Sequence, residues 1–344
     1  MIVHLQTSGS SGDGASDIES LSEVSIESPI SEFRDDLLES GWREWRSNRT
    51  LESESTPQFS PLWMHRCLVT LHPDSLDAGQ DDYYYGGIFR EIQSILAPLG
   101  VRVELGVLPE DCLTNACALQ NTAVVGLNPD ALTAQTLTQL YRSGKPVVVV
   151  GSSWGKGSVP SIDSDNVLGA ALGVHHLANL GHRHILFFGA CPEDSNTMDR
   201  LRGYSAALRA KGLESKPENL ILMDSDVGWE DPPDERLRQR LLADDAPTAV
   251  FAAGPNLAMH ALSLARTIHV RVPEDISILC YDDPPFLIET EPPLSTVRQP
   301  LAAMAAKACE ILLAPAESGA PPPEFALDPE LRVRGSTVSS RESG

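Results

Sequence analysis

The chain has 344 residues, 42% of them hydrophobic, and carries 48 Asp and Glu against 26 Lys and Arg for a net charge of -22. That is enough apolar material for one large domain or two medium ones with buried cores. The acidic balance repels nucleic-acid phosphates unless a local basic patch overrides it, and the six scattered cysteines include no CxxC pair, which argues against a zinc ribbon or a thioredoxin-type site.

The opening MIVHLQTSGSSGDG has neither a basic stretch nor an apolar run, so no secretory signal is expected. Apolar stretches such as Val147–Val150 are far too short to span a bilayer. A cytoplasmic chain with reduced thiols and no membrane partner is the expectation. Residues 1–60 are Ser-rich and hold twelve Asp and Glu, four Arg and no Lys. Such a segment buries little and reads as largely disordered. One helix is expected inside it, from Ser31 to about Arg46, with Phe33, Leu37, Leu38, Trp42 and Trp45 roughly on one face.

From Cys67 onward, strand and helix signals alternate. Short apolar runs predict buried parallel strands at Cys67–Leu71, Val101–Leu105, Ala123–Gly126, Val147–Val150, Ile185–Phe188, Leu220–Met223, Ala249–Ala252 and Ile276–Cys280. Between them, Leu168, Leu172, Leu177 and Leu180 repeat at helical spacing over Asp165–Leu180, with Gly181 placed to end the helix. Asp199–Lys211 reads the same way, ahead of Gly212. A last strand is expected at Leu331–Val333, and GSTVSSRESG reads as a loose end. The alternation implies an α/β architecture of doubly wound parallel sheets. About nine strands are too many for one small sheet, so two lobes are expected.

Three stretches carry a family resemblance. SIDSDNVLGAALGVHHLANLGHRHILFFG (Ser161–Gly189) has an Asp-Asn pair, a Gly three residues on, and a helix ending HLxxLGH before a strand. RLRGYSAALRAKGL (Arg200–Leu213) follows RxxGYxxALxxxGL. Pro247–Leu313 contains PTAVFAAG, RVPEDISILCYDD and PPLSTVRQPLAAMAAKACEILL. In this order and spacing they resemble the effector-binding half of LacI/GalR-type transcriptional regulators. The first lobe is less similar: DDYYYGGIFREIQSILAPLG has Asp82 where the family has Asn, and Glu91 where Gly is usual.

The resemblance implies a type I periplasmic-binding-protein-like fold over about residues 61–338. The first lobe would be about 66–160 plus 291–314, the second about 161–288 plus 328–338, and 339–344 a tail. Crossings between lobes are expected near Pro160, near Leu287–Pro293 and after Leu313. A small effector (a sugar, sugar acid or nucleobase-like molecule) would lie between the lobes, at the carboxyl ends of the strands. The chain would be a sensor whose closure regulates transcription, directly or through a partner. A stand-alone sensor and a transport-linked solute-binding protein are the alternatives. A homodimer is implied, with Ile88, Ile92, Ile95 and Leu96 offering a helix face for it. Specific duplex binding by this chain alone is not expected, because residues 1–60 are acidic and lack Lys.

The family's positions single out Arg200, whose planar fork of donors suits hydroxyls or a carboxylate. Asp282 is singled out as an acceptor for ligand hydroxyls, with Asp283 as a structural neighbour. Tyr84, Tyr85 and Trp229 are candidate aromatic surfaces for a sugar ring, and Ser152 is a candidate polar contact. Arg200→Ala and Asp282→Ala are expected to weaken binding in a protein that stays folded. Two departures stand out. Ala253-Gly254-Pro255-Asn256 replaces the usual Ala-Asn-Asp, and Gly151 stands where several sugar-binding relatives have Asp. GSSWG (Gly151–Gly155) fits the spacing of a hydrolase nucleophile elbow, but Lys156–Pro160 cannot supply the helix that must follow. His175, His176, His182 and His184 straddle a helix end and a strand, a poor spacing for metal ligands. No enzyme activity, metal or cofactor is expected.

Overall fold

The computed structural model describes residues 64–72, 83–115, 117–190, 194–223, 234–314 and 321–340. The helix expected over Ser31–Arg46 and the loose segment 1–60 lie outside the described residues, as does Trp229. The first lobe begins with β1 (Arg66–Thr70), α1 (Tyr84–Leu96), β2 (Arg102–Gly106), β3 (Thr122–Leu127), α2 (Ala131–Arg142), β4 (Val147–Val150) and β5 (Ser161–Ser164). The chain then builds α3 (Asn166–Asn179), β6 (Ile185–Gly189), α4 (Ser195–Ala210), β7 (Leu220–Leu222), α5 (Glu235–Leu241), β8 (Ala249–Ala252), α6 (Pro255–Thr267), β9 (Ser277–Tyr281) and β10 (Ser295–Arg298). It returns for α7 (Leu301–Leu313) and β11 (Glu324–Leu327), and closes with β12 (Glu330–Arg332).

Two six-stranded sheets result, ordered β11-β5-β4-β3-β1-β2 and β12-β10-β9-β8-β6-β7. All pairs are parallel except β10 with β12. The central strands are buried on both faces, and their Val-, Ile- and Phe-rich runs need no alternation. These are the two lobes of doubly wound sheet that the alternation of signals implied, in the periplasmic-binding-protein-like arrangement that the resemblance implied.

Sheet membership moves the crossings by several residues. β5 belongs to the first sheet and β10 to the second, so the chain changes lobe at Asp165, at Gln299-Pro300 and at Asp328-Pro329, not near Pro160, near Leu287–Pro293 and in the Pro-rich stretch after Leu313. The Asp165 N–H donates to Leu327 O at 2.8 Å, so the first and third crossings run side by side. Two further expectations fail. Ile88, Ile92 and Leu96 are fully buried in their own lobe, packed with Met304 and Cys309 of α7, and are not free to form a dimer face. The stretch Gly335–Ser340 is not loose. Ser336 Oγ donates to Ile278 O at 2.6 Å, the Val338 N–H donates to Ser277 Oγ, and the Ser340 N–H donates to Leu180 O at 2.7 Å.

The motif residues have physical roles. The Asp165 carboxylate caps α3 by accepting the Leu168 N–H at 2.9 Å. A Cβ on Gly203 would lie 2.1 Å from Val167 O, so only glycine lets α4 approach α3 this closely. Tyr204 donates to Ile185 O at 2.9 Å, satisfying its hydroxyl beneath Phe187. His176 pairs with Thr337, and His182 bridges Thr248 and Val338 O. The histidines therefore hold the chain's end to the second lobe. Among the described residues no group of His, Cys, Asp and Glu could hold a metal ion, and no helix is long and apolar enough to cross a membrane.

Candidate functional site

The parallel strands of both lobes end where the lobes face each other, and Ser152, Asp163, Asn166, Asn196, Arg200 and Asp282 are polar side chains buried there. Arg200 lies on the second turn of α4, only 7% exposed. Its Nε donates to Asn166 Oδ1 at 3.0 Å and one terminal nitrogen donates to Ala253 O at 2.6 Å. The other lies 3.6 Å from Asp282 Oδ2, and the guanidinium stacks 3.9 Å from the Tyr281 ring centre. Burial opposes its charge, but Asp282, Tyr281, Asp194 and Asp163 outweigh that and raise its pKa.

Asp282 follows β9 in a left-handed conformation, φ +77°, which Asp tolerates better than most residues. Its Oδ1 accepts from Gln299 Nε2 at 2.7 Å, at the second crossing. Burial raises its pKa, against the pull of Arg200 and the Gln299 hydrogen bond. Arg200 spends its shorter contacts elsewhere, so the pair is a looser one than either charge would choose. The neighbouring Asp283 is tied to Arg334 at 2.7 Å and shapes the loop.

A second buried carboxylate was not foreseen. Asp163, on β5, accepts weakly from Asn166 Nδ2 at 3.4 Å. Burial pushes its pKa up to about 7, with Lys156 and Arg200 pulling down and Asp199 across the cleft pushing up.

Short amides join these charges into one chain. Asn128 Nδ2 donates to Tyr85 Oη at 3.3 Å, Asn196 Nδ2 to Asn128 Oδ1 at 3.2 Å, and Asn166 Nδ2 to Asn196 Oδ1 at 3.2 Å. Arg200 Nε then donates to Asn166. The amides run head to tail, an arrangement in which each bond polarises the next. Ser152 is fully buried and donates to Pro129 O at 3.1 Å. With its one hydrogen so committed, Ser195 must be the donor in their 3.3 Å contact. Tyr85 is half-buried, while Tyr84 is buried edge-on to it, ring centres 5.4 Å apart.

The structure thus gathers Arg200, Asp282, Ser152, Tyr84 and Tyr85 around one inter-lobe cleft. It adds Asn128, Asp163, Asn166, Asn196 and Gln299, which sequence reasoning did not select. An open surface hollow of about 410 Å³, lined by residues including Leu262, Arg266, His269 and Glu274, lies by the opposite end of α6. It is shallow and far from the carboxyl ends of the strands, where an α/β sheet places its ligand.

Comparison with known proteins agrees. A family described as a periplasmic binding protein-like domain matches residues 174–337. The HTH-type transcriptional regulator MalR of Streptomyces coelicolor is 31% identical over 226 residues, 63% of each chain. The protein named "Probable opine utilization operon repressor" of Rhizobium rhizogenes is 31% identical over 188 residues, 52% of this chain and 93% of that one. The chain belongs to the LacI/GalR family. Its fold matches the solved complex of the transcriptional regulator CelR with cellobiose, at a TM-score of 0.68 and 23% identity, over 90% of this chain and 92% of that one.

Both departures from the LacI/GalR pattern have a structural setting. Gly254 caps α6 in extended conformation with no side-chain hydrogen bond, and a Cβ there would meet nothing within 4 Å. The space for the family's Asn is present and unfilled by protein. At Gly151 the reverse holds. Its φ is +80°, and a Cβ would fall 1.7 Å from the Tyr84 hydroxyl. Tyr84 occupies the room that an Asp side chain needs. The GSSWG stretch continues as turns to Pro160, with no helix behind Ser153, and so lacks the strand–turn–helix of a nucleophile elbow.

Proposed function

We propose that the chain is the effector-sensing part of a LacI/GalR-type regulator. It takes a sugar-like, hydroxyl-bearing molecule between the lobes and changes their closure to control transcription. One observation carries this reading: Arg200 and Asp282, 82 positions apart in the sequence, meet at 3.6 Å at the inter-lobe cleft with Gln299 and the amide chain around them. An array of buried donors and acceptors suits vicinal hydroxyls or a carboxylate. Cellobiose in the CelR complex makes sugars the first class to screen. The relatives' names support transcription control, a cytoplasmic setting and binding in place of catalysis. Exposed Leu99, Leu105 and Val107, around the free edge of β2, offer the surface for a homodimer.

The test is a thermal-shift screen of sugars, sugar acids and nucleobases, followed by calorimetric titration. A bound ligand raises the melting temperature by mass action. Losing the guanidinium's planar donors in Arg200→Lys, or the carboxylate's charge in Asp282→Asn, should weaken binding roughly ten- to a hundredfold, while Arg209→Ala should not. Arg200→Ala is the wrong probe. It leaves Asp282 buried without its cation and should cost about 3–5 kcal/mol of stability, which would mask its effect on binding. No shift with any class, or unchanged affinity in both site variants, refutes the proposal.

A further inference from the structure

The facing surfaces of the lobes are joined by side chains of the protein itself. Ser195 and Asn196 open α4 in the second lobe. Ser195 Oγ accepts the Ser153 N–H at 3.2 Å and lies 3.3 Å from Ser152 Oγ. Asn196 Nδ2 donates to Gly151 O at 2.8 Å and to Asn128 Oδ1 at 3.2 Å. Gly151, Ser152, Ser153 and Asn128 all belong to first-lobe loops after β3 and β4.

These contacts are not incidental to the helix. Asp194 already caps α4, accepting the Asn196 and Thr197 N–H groups at 3.4 and 2.9 Å. The Asn196 side chain is surplus to the helix, and both of its hydrogens go to the other lobe. Ser152, Ser195 and Asn196 are buried, so water competes poorly for the same partners. The partners are neutral, so closing them brings no like charges together.

We infer that Ser195 and Asn196 form a latch that holds the lobes shut through the chain's own groups. An effector entering the cleft must displace Asn196 from Gly151 and Asn128, and so acts as a wedge. The wedge rests on the reading of the cleft as the effector site; the latch does not, and is tested without any effector.

The Ser153 amide reports the latch directly, because its acceptor lies on the other lobe. Hydrogen exchange is followed at Ser153 in the full chain, with the strand amides of β4 and those in the middle of α4 as internal references. Ser153 is expected to be protected in the wild type. In Asn196→Ala it should exchange roughly ten- to thirtyfold faster, the loss of two buried hydrogen bonds, with the references unchanged. Ser195→Ala, which removes the acceptor itself, should do the same and decides the matter if Asn196→Ala is globally unprotected. Exchange at the rate of an open loop in the wild type overturns the latch. So does equal protection in wild type and variants.

Discussion

Introducing a single methyl group at Gly151 tests how tightly the first lobe's side of the cleft is built. Gly151→Ala meets two obstacles. The backbone sits at φ +80°, where an L-residue pays about 1–2 kcal/mol. The new Cβ would stand 1.7 Å from Tyr84 Oη and 2.9 Å from Cζ, and the Tyr84 ring is buried against Tyr85 with little room to swing. Overpacking of this kind costs about 1–3 kcal/mol. The sum is a loss of about 2–5 kcal/mol. Tyr84→Phe removes the atom at 1.7 Å and leaves the one at 2.9 Å, so Gly151→Ala in that background should cost about 1–2 kcal/mol less. Urea denaturation of wild type, both single variants and the double variant closes the cycle. A Gly151→Ala cost below about 1 kcal/mol, or costs that add within about 0.5 kcal/mol, refutes the claim that Tyr84 fills the place of the missing Asp.

Two other predictions concern cleft residues. Asp163 has its pKa raised from 3.8 to about 7, so the folded state binds its proton more tightly than the unfolded state does. The stability this gives is complete below pH 3.8 and is lost as the pH rises through about 7. Asp163→Asn should nearly match wild type near pH 4 and exceed it by on the order of 4 kcal/mol at pH 8. Urea midpoints across that range decide it, and a variant weaker than wild type at pH 8 counts against the argument. Gly254→Asn should fold normally and gain a few tenths of a kcal/mol from capping α6, seen as a slightly higher melting temperature. A clear drop would mean the space beside Gly254 is not free.

The apolar runs made the central strands legible, because a strand buried on both faces must be apolar throughout. β5 (SIDS), β10 (STVR) and β11 (EFAL) escaped notice for the opposite reason. The polar side chains of β5 and β10 look like loop residues until distant partners meet them, as where Ser295 Oγ meets Thr337 and the Arg334 N–H, and β11 is only four residues long beside a Pro-rich run. Missing β5 and β10 is what displaced the expected crossings. Arg200 and Asp282 were legible because each sits in a motif of fixed spacing. Asn128, Asn196 and Gln299 were not, since single amides are common in turns and their role exists only once distant loops meet. Asn166 lay in a recognised motif but was read as part of a helix start, a job that Asp165 does.

The order in which the chain visits its lobes has a consequence for synthesis. The first lobe's sheet is finished by β11, and its α1 face is covered by α7, both made after every strand of the second lobe except β12. The second lobe waits for β12 and for Ser336–Ser340 at its rear. A ribosome that has made residue 300 therefore carries two incomplete lobes, with Ile88, Ile92 and Leu96 still lacking their cover. Domains made in one continuous stretch can fold as they emerge. Here the apolar face of α1 stays open until residues 301–313 have been made, and that interval is when a chaperone has most to shield.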